Sequence, residues 1–148
     1  MNLTPRNTML LLFLRGAKEQ ELDPVRIMKG MFLFAMRAPV DQVPAEARYE
    51  FVPYNYGPCA FEIYTDLDNL ARDGLLSANR IPGQSWKHYI LTNKGSELAE
   101  HVSSQTDPRI PNYLNKVRDY VTKQPFSDLL KAVYRLYPDY AKNSVFKS

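Results

Sequence analysis

Few side chains in this sequence stand where they could do covalent chemistry. Cys59 follows Pro58 at the expected start of a helix, where the helix dipole lowers a thiol pKa. A thiol nucleophile also needs a base, and neither His88 nor His101 stands at a spacing that pairs with it. Cys59 reads better as a small residue filling a tight helix start. Glu62 and Asp66 lie one helical turn apart, but a carboxylate pair on an exposed helix is ordinarily a solvated face. No phosphate loop, dinucleotide fingerprint or metal-ligand cluster occurs. A single cysteine makes neither an internal disulfide nor a zinc site. The chain is therefore expected not to be an enzyme and to need no metal or cofactor. What remains is recognition chemistry. Arg72, Arg80, Lys87 and His88 are basic residues suited to phosphate, and Glu62, Asp66, Asn69 and Asp73 form a series suited to a basic surface.

The elements that must position these residues are read from caps, breakers and periodicity. Thr4-Pro5 and Asp23-Pro24 each join an N-cap to a proline at the first helical position. The first helix, apolar on nearly every side through Met9, Leu10, Leu12, Phe13 and Leu14, is expected to end near Lys18. The second runs to about Met36, and the prolines at 39 and 44 make the segment to Ala47 a loop. Tyr49, Phe51 and Pro53 suggest a short edge strand, with a turn at 54–58 and a helix over 59–73 closed by Gly74. Segments 75–79 and 86–91 form one hairpin around Pro82-Gly83, and Thr92 caps the next helix. Two further helices carry Ile110 to Val121 and Phe126 to Leu136, followed by a polar, basic tail.

The pattern Leu67-x-x-Leu70-x-x-x-Gly74-Leu75-Leu76, a hairpin, and then Tyr89-x-Leu91-Thr92-x-x-Gly95 resembles winged-helix transcriptional regulators of the PadR and MarR kind. The motif Tyr54-x-Tyr56-Gly57-Pro58-x-x-x-Glu62 is similar to one in small bacterial winged-helix proteins, and it also resembles the Panacea-type antitoxin domain. The run from Tyr137 to Ser144 is similar to the tail that closes some of those bacterial proteins. The resemblance implies a mainly α, α+β fold: a winged helix-turn-helix with one small hairpin wing and two additional C-terminal helices. It also implies a prokaryotic or phage origin and a regulatory or defence-linked role. On this reading residues 1–148 form a single domain, with a winged-helix core over 1–107 and a helical extension over 108–148.

Composition narrows the partners. At 45% apolar and 24% charged the chain matches an ordinary globular domain, and no apolar run is long enough for a membrane span or followed by a signal-cleavage site. A cytoplasmic protein is expected. The net charge of +3 divides into +5 over residues 109–148 and −2 before them. On a helical wheel over 59–73, Ala60, Phe61, Tyr64, Leu67 and Ala71 take the buried side and Glu62, Asp66, Asn69 and Asp73 the outer one. That outer face is acidic, which opposes entry into a DNA groove, so contact is expected from Arg72 and from wing residues Arg80, Lys87 and His88. Trp86 is expected to pack the wing on the body. Two functions follow: a DNA-binding regulator acting as a homodimer, or a protein-interaction module of antitoxin or adaptor type that uses the acidic helix.

Overall fold

The computed structural model describes residues 3–17 and 20–146, so Lys18, the expected end of the first helix, lies outside the described residues. Helix α1 (Pro5–Arg15) starts under the Thr4 cap, whose hydroxyl accepts from the Asn7 N–H at 3.1 Å. Its residues Leu10 to Leu14 are all buried, so it has no solvent face. Helix α2 (Pro24–Arg37) starts under the Asp23 cap and is buried from Ile27 to Phe34. The loop after it is organised by one guanidinium. Arg48 donates to the carbonyls of Ala35, Ala38, Pro39 and Val43 at 2.6–3.1 Å, closing the C-terminus of α2.

The next segment departs from the expected lone strand and early helix. β1 (Val52–Tyr54) and β2 (Gly57–Cys59) form an antiparallel hairpin of their own, with Tyr54 opposite Gly57. Pro58 is therefore a strand residue, and α3 (Phe61–Arg72) begins two residues later than the sequence suggested. So short a hairpin is stable only with outside partners. It has two: Lys29 on α2 donates to the Pro58 carbonyl at 3.0 Å, and the Val145 N–H donates to the Asn55 carbonyl at 2.8 Å. The segment around Val145, part of the polar, basic tail, is thus tied down. Behind it, the edges of Phe51, Tyr137 and Tyr140 surround the ring of Phe32 at centroid distances of 4.8–5.3 Å.

Helix α3 ends at Gly74, whose φ of +80° allows the Leu75 N–H to reach back to the Leu70 carbonyl at 2.9 Å. The hairpin β3 (Leu76–Arg80) and β4 (Lys87–Leu91) pairs Leu76 with Leu91 and Arg80 with Lys87. Leu22, between α1 and α2, bridges Tyr89 on the other edge of β4, so the order across the sheet is Leu22, β4, β3. Helix α4 (Asn93–Ser104) is capped by Thr92, whose hydroxyl accepts from the Gly95 N–H and donates to the Gly74 carbonyl. Helices α5 (Arg109–Lys123) and α6 (Phe126–Leu136) complete the chain with a turn of 3-10 helix at Pro138–Ala141.

The fold is mainly helical. Residues from Met9 through Val133 belong to one hydrophobic cluster, which includes Leu114, Val117, Val121 and Leu129 from the C-terminal helices. α5 packs on both α1 and α2. It is pinned there by Arg118, a buried guanidinium that lies against Gly16 and donates to Asn115 at 2.8 Å and Asp119 at 3.0 Å.

Two positions here have measurable consequences. A Cβ on Gly95 would stand 2.0 Å from the Leu75 carbonyl oxygen, a backbone atom held by the Thr92 N–H. Gly95→Ala is expected to destabilise the fold by about 2 kcal/mol despite alanine's higher helix propensity, measured by urea unfolding. Burial lowers the Lys29 ammonium to about 8, with Cys59 partly opposing the shift. In the unfolded chain the same group keeps its proton to its ordinary 10.5. Below about 8 both states are charged and the burial cost is full; between the two values the unfolded chain holds more protons, so the cost falls as pH rises. Lys29→Met is thus expected to be more stable than the parent by about 1–2 kcal/mol at pH 7, after losing its bond to Pro58, with the gain shrinking toward pH 9. A gain constant over that range would show that the ammonium is not desolvated.

Candidate nucleic-acid interface

Helix α3 is seated by three buried residues, Ile63, Leu67 and Leu70. Their spacing of four and three residues sets the inner face of the helix, and Phe61, Thr65, Asp68 and Arg72 lie opposite, all exposed. This turns the helix by roughly a quarter of its circumference, about 90°, from the expected orientation. Phe61 and Tyr64, assigned to the core, are exposed instead, and Ala71 is half-buried. The reason is that aromatic residues have partners other than the core. Phe61 meets Tyr54 edge-on at 5.0 Å, while Tyr64 lines a surface cleft. The aliphatic residues alone set the seam.

The rotation changes where the acidic series sits. Glu62 is held by Arg6 at 2.8 Å. Asp66 is half-buried and accepts from the Tyr49 hydroxyl at 2.6 Å. Burial raises the Asp66 carboxyl above its ordinary value, while the Tyr49 bond pulls it back. Asn69, half-buried, accepts from Arg72 at 3.2 Å. Asp73 is exposed beyond the helix end, its carbonyl accepting from Lys94 at 3.0 Å. The outward face of α3 therefore carries one Asp and one Arg and no net charge, in place of the expected acidic stripe.

The basic residues fall into two places. Arg72 is exposed in the last turn of α3. Arg80 and Lys87 are direct cross-strand partners at the far end of the β3–β4 hairpin, and neither has a carboxylate within ion-pair distance among the described residues. Like charges directly opposite each other weaken a sheet unless an anion sits between them. His88, one position further in, is half-buried, with its Nε2 2.6 Å from the Gln84 Oε1.

Beside this face lies a cleft of about 610 Å³ between the hairpin, α3, the start of α2, the β1–β2 turn and the start of α6. Tyr56, Tyr64, Trp86 and Phe126 line it, and each is at least 36% exposed. Trp86, expected to pack the hairpin on the body, is 47% exposed on the cleft wall. Sequence reading missed the cleft because its walls come from five separate elements; four aromatics without a common spacing give no signal. Asp23 and Arg26 also border it, but they are paired with each other at 2.9 Å, and Arg26 donates to the Gln124 carbonyl.

Cys59 ends β2 and does not start a helix, and burial pushes its thiol up, partly offset by Lys29. No group of three or more His, Cys, Asp and Glu among the described residues is placed to hold a metal ion. No helix among them is long and apolar enough to cross a membrane. Comparison with protein-family models, curated proteins and solved structures gives no match.

The Asp66–Tyr49 bond is testable. Tyr49→Phe leaves a half-buried carboxylate without its donor and is expected to cost about 1–2 kcal/mol at pH 7, measured by urea unfolding. Removing the bond takes away what lowers the Asp66 pKa, so the folded variant binds its proton at a higher pH than the unfolded chain. Its stability relative to the parent should therefore recover as pH falls toward 4. A deficit independent of pH would mean that the hydroxyl acts through packing alone.

Proposed function

We propose that the chain is a winged-helix regulator of prokaryotic or phage type that binds duplex DNA as a dimer, with α3 as the reading helix and β3–β4 as the wing. The observation that carries the reading is the opposed Arg80–Lys87 pair, two cations placed face to face at a hairpin end with no carboxylate within ion-pair distance among the described residues. A phosphate between them turns a repulsion into two charge-assisted contacts. The order of elements supports the same reading once the inserted β1–β2 hairpin is set aside: helix, Leu22 bridge, helix, then after that insertion α3 and the β3–β4 hairpin, with Leu22 on the inner edge of the latter. The neutral outward face of α3 lacks the charge that would repel a groove, and Thr65 and Arg72 offer donors to it. A dimer is part of the proposal because one helix and one wing cover only half of a two-fold site. The adaptor reading has no comparable observation behind it, since Arg6 and Tyr49 already engage Glu62 and Asp66.

The test is titration of the purified protein with mixed-sequence duplex fragments at two salt concentrations, with light scattering for the dimer. Binding is expected at low salt and should weaken steeply as salt rises. No binding at low salt would overturn the reading. Changing Arg80 and Lys87 together to Ala should lower the slope of log K against log salt by about 1, since the pair holds one phosphate and each neutralised phosphate contributes about 0.9. An unchanged slope would remove the wing from the interface.

A further inference from the structure

The aromatic cleft beside the hairpin is not used by duplex contacts through α3 and the wing, yet it has the character of a binding site. Its volume of about 610 Å³ falls in the range of small-ligand pockets, and it leaves four large aromatic side chains uncovered at one place. Folding ordinarily buries such side chains, so their convergence from the β1–β2 turn, α3, the hairpin and α6 marks a surface that another molecule covers. The ionised groups at the cleft, Asp23 and Arg26, neutralise each other. The interior is therefore suited to an uncharged planar ring. The tyrosine hydroxyls, the Trp86 indole N–H and Gln84 supply hydrogen-bonding groups for the edge of such a ring.

The margin differs from the interior. On the hairpin, Lys87 is the sequence neighbour of the lining residues Trp86 and His88; consecutive strand residues project to opposite faces, so Lys87 and its partner Arg80 stand at the hairpin end just beyond the cleft, on the face away from His88. A neutral ring carried on a polyanion matches an uncharged aromatic interior with two cations at the adjoining hairpin end.

We propose that this cleft takes an unpaired nucleobase carried on a nucleic-acid strand, stacked among Tyr64, Trp86 and Phe126, with the strand's phosphates beside Lys87 and Arg80. This rests on the nucleic-acid reading above and sharpens it: the preferred ligand is a duplex with an adjoining single-stranded or extruded base. Base stacking on aromatic side chains strengthens binding by about five- to 150-fold per base and tolerates any sequence.

Trp86 is the sole tryptophan, so its fluorescence reports on the cleft directly. The full chain is titrated with a blunt duplex, the same duplex bearing a short single-stranded thymidine tail, and a third whose tail is abasic but keeps every phosphate. The tailed duplex should quench Trp86 and bind about tenfold more tightly than the blunt one, while the abasic tail gives no quench. Phe126→Ala should remove the gain from the tail, with the thermal melt showing that the variant folds; Tyr64→Ala serves if it does not. Blunt and tailed duplexes binding alike, with Trp86 unquenched, would overturn the inference and leave the duplex reading standing. Binding of the tailed strand alone would support the inference and overturn the duplex reading. No binding of any strand at low salt would overturn both. Equal quenching by thymidine monophosphate at the same concentration would overturn the assignment to a strand.

Discussion

Everything in this fold follows from the need to cover α1 on all sides. A helix whose residues from Leu10 to Leu14 are all apolar cannot lie on a surface, because any face left in water forfeits the burial of whole side chains. The chain meets that demand with α4, α5, β4 and the turn at Ala45–Ala47, all of which pack on α1. The C-terminal helices are therefore part of the same core, and α5 takes its place through an unusual buried contact. Arg118 lies against Gly16 with its charge shared between Asn115 and Asp119, and a side chain larger than hydrogen at Gly16 would meet the guanidinium.

Around that core, the outer elements are held by charged side chains aimed at backbone carbonyls. Arg48 closes the end of α2, Lys29 holds β2, Arg26 reaches the end of α5, and Lys94 ties the start of α4 to the end of α3. Each bond joins a charge to a group that would otherwise lack a partner near an element's end, which is why so few cations are needed to order long connections. Arg72, Arg80 and Lys87 form no ion pairs among the described residues. The division between cations engaged in the fold and cations facing outward is what gives the hairpin and the end of α3 their electrostatic character.

The short motifs acquire physical meanings from the same contacts. In the Tyr-Gly-Pro stretch, Tyr54 meets Phe61, Tyr56 meets Phe126, Gly57 turns the hairpin against Tyr134, and the Pro58 carbonyl accepts from Lys29. In the later pattern, Thr92 caps α4 and Gly95 lets that helix approach the Leu75 carbonyl. These residues build the frame around the candidate interface, and the cleft and the outward face of α3 are its products.

The sequence by itself determined the helices, their caps, the hairpin after α3 and the glycine that ends α3, because these depend on neighbours a few residues apart. It could not tell which of the apolar residues of α3 form the seam. Phe61 and Tyr64 satisfy a helical wheel as well as Ile63 does, and only the aromatic partners on other elements draw them out of the core. The first hairpin was equally hidden, since its stability comes from Lys29 and from the segment near Val145, far away in the chain. Tertiary structure also turned the acidic series toward Arg6 and Tyr49 and assembled the cleft from five elements. Local order follows from local spacing; which face of α3 meets the solvent, and what stands beside it, was decided by contacts between residues distant in sequence.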